Sequence, residues 1–191
     1  DSGLGSDNVV RVVPDAAGNV WFATAPAWDD DLGDYRDGGL SVLRADATWI
    51  TYTTANSALL TDTPTGLAVD AAGNVWVAGD GLSQLRPDGV WITYTIANSA
   101  LLTDTLTDIV VASTGDVWAV GAGLSRLHAG DWITYTPANS GLRSDQLNHV
   151  VADVDGRLWT DVNNNRVQVY NPATDAGALY ALPGEMFYAW V

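Results

Sequence analysis

Short apolar stretches alternate with polar turns along the whole chain, and they recur in register about every 42 residues. Residues 49–65 (WITYTTANSALLTDTPT) and 91–107 (WITYTIANSALLTDTLT) are identical at fifteen of seventeen positions. A third copy begins at Trp132, 41 residues after Trp91. Four frames align around these copies. The first segment of each frame, residues 9–14, 66–70, 108–112 and 149–153, is short and rich in Val or Ala, as a buried inner strand requires. A turn with Gly at a fixed offset follows (Gly18, Gly73, Gly115, Gly156), supplying the positive φ of a hairpin connection.

The second segment carries Val20-Trp21, Val75-Trp76, Val117-Trp118 and Leu158-Trp159. The third covers residues 39–43, 81–85, 123–127 and a looser 165–169, with the alternation of a half-buried strand. The fourth covers 49–53, 91–95 and 132–136, where Trp, Ile, Thr and Tyr all favour extended backbone. Helical spacing of apolar residues is not sustained anywhere. Four antiparallel strands per unit, a period of 40–45 residues and no helix predict an all-β fold, a β-propeller array of four four-stranded blades. The expected blades are residues 1–55, 56–97, 98–138 and 139–191 of one domain.

Composition adds detail to this picture. Seven of the nine Trp sit in repeated frames. Each buried Trp removes roughly 200 Å² from water, worth up to about 5 kcal/mol. The net charge is −15 because bases are scarce: eight Arg, no Lys, and acids that are all Asp except Glu185. Such a surface repels phosphate backbones and anionic membranes, so neither nucleic acid nor a membrane surface is an expected partner. Without Cys, disulfides and thiolate metal sites are excluded. No apolar run has the length of a membrane span. The chain opens on Asp1 inside a repeat frame, with Asp1-Ser2-Gly3-Leu4 aligning to Asn56-Ser57-Ala58-Leu59, and reads as a mature or excised piece.

The frame Asn98-Ser99-Ala100-Leu101, Asp104, Gly115-Asp116-Val117-Trp118, Gly123-Leu124-Ser125, with its counterparts over residues 1–170, resembles the two-component-regulator propeller repeat. That resemblance implies a propeller fold, a sensor or binding role, and an extracellular or periplasmic location. The family commonly builds seven-bladed rings, whereas four frames are visible here. Residues 15–24 (DAAGNVWFAT) are also similar to the repeat of streptogramin-type lyases. Those enzymes need a catalytic His with a nearby acid and a metal. Only His128 and His149 are present, in unrelated frames, and both read as surface or packing residues.

Strand alternation puts the connection from strand four to the next strand one, and that from strand two to strand three, on one common face, termed the top. Asp7, Asp62, Asp104 and Asp145 recur there, each six residues after Asp1, Asn56, Asn98 or Asn139. Local capping of the loop accounts for such a repeated Asp without a ligand. The array has one insertion. Trp21 and Trp49 are 28 residues apart, against 15 for Trp76 and Trp91 and 14 for Trp118 and Trp132. The extra residues lie on the top and include Trp28, Asp29, Asp31, Asp34, Tyr35 and Asp37, which have no repeat counterpart. Aromatics and acids on a loop held by a rigid scaffold suit ligand binding. The rings fit stacking on a glycan or another small polar ligand, and the acids offer hard oxygens to Ca²⁺. The spacing lacks the Glu of an EF-hand. The turn Asp153-Val154-Asp155-Gly156 occupies the ordinary Gly-turn frame.

The fourth unit decays toward residues 178–182, a candidate outer strand without the Trp-Ile-Thr-Tyr motif. Residues 186–191 (MFYAWV) read as a final apolar strand. Four blades either close into a small ring or stay open and associate with another chain, a second copy or the rest of a larger parent. The reading is a non-enzymatic, sensor-type module that binds a ligand or a protein partner. The alternative is a structural component assembled blade to blade, and third comes a metal-dependent lyase-like enzyme.

Overall fold

The computed structural model describes residues 3–30, 33–162 and 166–181, and among them there is no helix. Residues 186–191, expected as an apolar strand, lie outside that set, as does Asp31.

Four antiparallel four-stranded sheets follow one another along the chain. The first contains β1 (Asn8–Pro14), β2 (Val20–Ala25), β5 (Gly39–Leu43) and β6 (Trp49–Tyr52), in that spatial order. Between β2 and β5 stands a separate hairpin, β3 (Ala27–Asp29) with β4 (Asp34–Arg36). The second sheet is β7 (Gly66–Val69), β8 (Val75–Gly79), β9 (Gly81–Leu85) and β10 (Trp91–Tyr94). The third is β11 (Asp108–Val111), β12 (Val117–Gly121), β13 (Gly123–His128) and β14 (Asp131–Tyr135). The fourth is β15 (Leu147–Ala152), β16 (Leu158–Val162), β17 (Arg166–Asn171) and β18 (Ala176–Ala181). The strands agree with the repeat frames to within about two residues.

In three of the four units the turn between first and second strands is built on one acid. Asp70 Oδ1 accepts the amides of Ala72 and Asn74 at 3.0 and 2.9 Å, and Oδ2 accepts Asn74 Nδ2 at 2.7 Å and the Trp76 indole at 3.0 Å. Asp15 repeats this with Ala17, Asn19 and Trp21, and Asp153 with Asp155, Arg157 and Trp159. The Asp therefore orients the indole as well as closing the turn. In the third unit Ala112 takes the place of the acid. There Asp116 binds Thr114 Oγ1, Arg126 and His128 instead, and Arg126 lies 5.3 Å over the Trp118 ring.

The indoles of the first three units point forward, each into the next sheet. Trp21, Leu40 and Val42 pack on Leu67, Val75 and Val77. Trp76 and Leu82 pack on Ile109, Val117 and Ala119. Trp118, Val120 and Leu124 pack on Val150 and Leu158. At the outer strands Tyr52 meets Trp91 edge-on at 5.5 Å, and Tyr94 meets Trp132 at 5.4 Å. Burial is thus divided into three inter-sheet layers, as expected when no blade can cover both its faces alone.

The first strands lie side by side, β1 against β7, β7 against β11 and β11 against β15. A longer reach shows that they converge. Arg11 Nη2 of β1 pairs with buried Asp108 Oδ1 of β11 at 2.7 Å, passing the second sheet. Gly66 occupies the equivalent frame position between them. A Cβ there would lie 2.9 Å from Asp108 Oδ1, so only a residue without a side chain lets the pair form. Asp108 Oδ2 also accepts the Val150 amide at 3.1 Å, tying in the fourth sheet. The sheets fan out from a common line, the arrangement of propeller-like blades.

Candidate functional site

The insertion is a β-hairpin, where the sequence reading expects a loop. Trp28 pairs with Tyr35, Ala27 with Arg36 and Asp29 with Asp34. Gly33, at φ 65°, takes the turn position that an L side chain resists. A free two-stranded hairpin is marginal in water, so its anchorage matters. Gly38 is wedged at the base, where a Cβ would lie 2.2 Å from the carbonyl oxygens of both Asp62 and Thr24. The Ser6 hydroxyl donates to the Ala25 carbonyl on the other side of the base. The hairpin therefore rises from the top face beside the Asp62 loop.

The structure brings Trp28 and Tyr35 together. Their rings meet edge-to-face at 5.4 Å and 82°, yet both remain 56% and 65% exposed. Such a pair contributes roughly 0.5–1.5 kcal/mol, enough to align the strands while leaving ring faces free. The acids do not converge in the same way. Asp29, opposite Asp34 in register, is paired with the Arg36 guanidinium, which relieves the repulsion between them. Asp30 accepts the Trp28 indole at 3.1 Å, Asp34 caps the Tyr35 amide at 2.8 Å, and Asp37 is exposed. No group of three or more metal-ligating side chains gathers among the described residues. Arg36 and Gly38 escape sequence reasoning because neither belongs to the repeat frame, although Arg36 is the only base in the insertion.

Two of the four repeated acids of the top face, Asp62 and Asp104, cap their own loops. Asp62 accepts the Thr54 amide and hydroxyl at 2.8 and 2.6 Å, and Asp104 accepts the Ile96 amide at 2.8 Å. In the next frame Pro137 offers no N–H to Asp145. The Asn and Ser of each loop are equally local. Asn56 Oδ1 accepts the Thr53 amide at 2.8 Å and Ser57 donates to the Thr53 carbonyl at 2.7 Å, and both bonds recur in the next two units.

Both histidines have an acid beside them. His128 Nδ1 lies 2.5 Å from Asp116, and His149 Nδ1 lies 3.1 Å from Asp161. Burial works to raise the Asp116 pKa, but hydrogen bonds from Arg126, Thr114 and His128 outweigh it and hold the carboxyl below its usual range. His128 ends a third strand and His149 sits within a first strand of another sheet, so the two pairs belong to different sheets.

No protein-family model and no curated sequence matches the chain. Solved structures do. The extracellular domain of the candidate hybrid two component system BT3049 from B. thetaiotaomicron superposes with a TM-score of 0.67 at 20% identity, over 93% of this chain and 29% of that one. The extracellular domain of the candidate one component system BT4673 from the same organism gives 0.70 at 17% identity, over 95% and 25%. Streptogramin B lyase gives 0.70 at 17% identity, over 94% and 56%. All are propeller-repeat folds, and this chain shares that fold. It spans between a quarter and just over half the length of these neighbours.

Proposed function

We propose that the chain is a non-enzymatic binding module: four propeller blades carrying a recognition hairpin on the top face. The observation behind this reading is the Trp28–Tyr35 pair, exposed on a hairpin whose base is held by Gly38 and Ser6. Two aromatic faces beside acids suit a neutral glycan, whose C–H faces stack on rings and whose hydroxyls bond to carboxylates. The likeness to extracellular domains of regulators supports a sensor-type role and a place outside the cytoplasm. The likeness to a lyase supports the fold equally. The two His–Asp pairs lie on separate sheets, which disfavours a shared catalytic centre. The test is a thermal-shift screen against neutral oligosaccharides. A rise in Tm with one of them, lost in W28A/Y35A, supports the reading; an equal rise in that variant refutes the site.

A second reading concerns assembly, and a specific observation favours it. Trp91 and Trp132 each receive a Tyr from the sheet before. Trp49, their counterpart, faces outward from the first sheet; Gly3 lies against its indole, and its ring contact among the described residues is with Phe22 of its own sheet, at 5.5 Å. Tyr180 pairs in register with Val167 as Tyr52 does with Leu40, and it is 55% exposed on the outward face of the fourth sheet. The two outward faces are thus the two halves of the repeated interface. A second copy, or further blades of a larger parent, completes the array head to tail. Sedimentation showing a concentration-dependent mass that falls to monomer in W49A/Y180A supports this; an unchanged mass in that variant refutes it.

A further inference from the structure

A cleft of about 610 Å³ opens between the first and second sheets, on the face opposite the hairpin. Its volume falls within the range typical of small-molecule sites. Its origin can be traced to one frame position. Val42, Gln84 and Arg126 pair in register with Trp21, Trp76 and Trp118 respectively. In the second unit Gln84 accepts the Tyr94 hydroxyl at 3.1 Å, and the Tyr94 ring stacks on Trp76 at 6.1 Å and 23°. In the third, Arg126 lies over Trp118. In the first, the shorter Val42 packs into the inter-sheet layer and has no polar end to bond the Tyr52 hydroxyl, and Tyr52 meets Trp91 edge-on as Tyr94 meets Trp132. The indole exposures follow: 9% for Trp21 against 3% for Trp76 and 1% for Trp118. The cleft is the space that a longer side chain fills in the neighbouring units.

The lining has a definite chemistry. Its floor is Trp21, Val42 and Tyr52, and its rim carries Arg44 and Arg86. These are two of only eight bases in a chain of net charge −15. Arg86 holds Asp88 at 2.9 Å in an exposed ion pair, of the kind that contributes little and yields to a competing anion. The acid in the lining, Asp15, is already committed to two amides, the Asn19 side chain and the Trp21 indole. Asn19 Oδ1 in turn accepts the Ala45 amide at 3.1 Å. The side chains of Asp15 and Asn19 are therefore engaged within the protein, and a hydroxyl-rich ligand would find few partners among the acids and amides of the lining. A flat apolar ring would rest on the floor, and its carboxylate would reach the guanidinium groups at the rim, which bind carboxylates through paired N–H donors.

We propose that this cleft is a binding site for a small aromatic carboxylate, separate from the hairpin. The probe is 1-naphthoate, titrated against the full chain by calorimetry, with uncharged 1-naphthamide and galacturonate as comparators. Saturable naphthoate binding at least tenfold tighter than either comparator is expected. V42Q, which installs the second unit's filler, should weaken it at least tenfold. R44A/R86A, both at exposed positions, should erase the preference for naphthoate over the amide while keeping the circular dichroism unchanged. V42A keeps the cleft open and should keep binding, which separates refilling from misfolding. W28A/Y35A should bind normally, so that failure of the hairpin reading leaves this one standing. Absence of saturable binding, equal binding by V42Q, or galacturonate matching naphthoate would overturn the proposal.

Discussion

Replacing Asp70 with Ala removes four hydrogen bonds at once, and their fates differ. The amides of Ala72 and Asn74 and the Asn74 side chain lie at a turn that water reaches, so each loses little. The Trp76 indole N–H is different, because Trp76 is almost fully buried. Stranding a buried donor costs about 1–3 kcal/mol, and the charged acceptor adds to the loss of the others. A total near 3 kcal/mol is expected. For a chain of this length each kcal/mol moves Tm by about 2–4 °C, so D70A should melt roughly 6–12 °C below the parent by calorimetry. The turn itself should survive. In the third unit Ala112 supports the same backbone bonds without the acid, Ala112 N to Asp116 O and Gly115 N to Ala112 O at 2.9 Å. D70N, which keeps one acceptor oxygen, should fall between. A D70A Tm within 2 °C of the parent would refute the claim that this acid holds the indole in place.

Two further outcomes follow from the same geometry. Asp153 is held at about 2, below the ordinary 3.8, chiefly by the Trp159 indole bond and then by Arg157. Asp15 is lowered too: burial opposes this, and its bonds from Asn19 and Trp21 prevail. A depressed folded pKa gives stability that is complete above the unfolded value and is lost as pH falls through the folded one. Tm should therefore drop between pH 4 and pH 2, and D153N should flatten that drop while lowering Tm at neutral pH. At the centre, G66A forces a Cβ to 2.9 Å from both Asp108 Oδ1 and the Ile109 amide nitrogen. It should cost about 1–3 kcal/mol by overcrowding, measured by urea unfolding, whereas an unchanged midpoint would show that the space is not tight.

Much of the architecture was legible because the repeat is nearly literal. The near-identity of residues 49–65 and 91–107 put seven of the nine Trp, the Gly turns and the Asn-Ser loops into register, and period-two alternation then gave the strands. The self-capping role of Asp62 and Asp104 was legible because their loops are nearly identical in sequence, and it does not extend to Asp145, where Pro137 takes the place of the donor residue. What escaped depends on differences between units. The hairpin pairing of Trp28 with Tyr35 requires knowing that Gly38 and Ser6 pin its base. The Arg11–Asp108 pair joins residues two units apart and depends on Gly66, a small residue unremarkable at the start of a strand. The cleft beside Trp21 exists because Val42 is short, and a missing side chain leaves no motif to read.

The central claim is that successive sheets radiate from one line, and the Arg11–Asp108 pair tests it most directly. These residues are 97 positions apart with a whole sheet between them, and they touch only if the first strands converge. A double-mutant cycle with R11M, D108N and the combination, followed by urea unfolding, isolates their coupling from the other bonds that Asp108 makes. Radial convergence predicts a coupling of at least about 1 kcal/mol, typical of residues sharing an ion pair. Losses that add to within about 0.5 kcal/mol, as for distant sites, would contradict it.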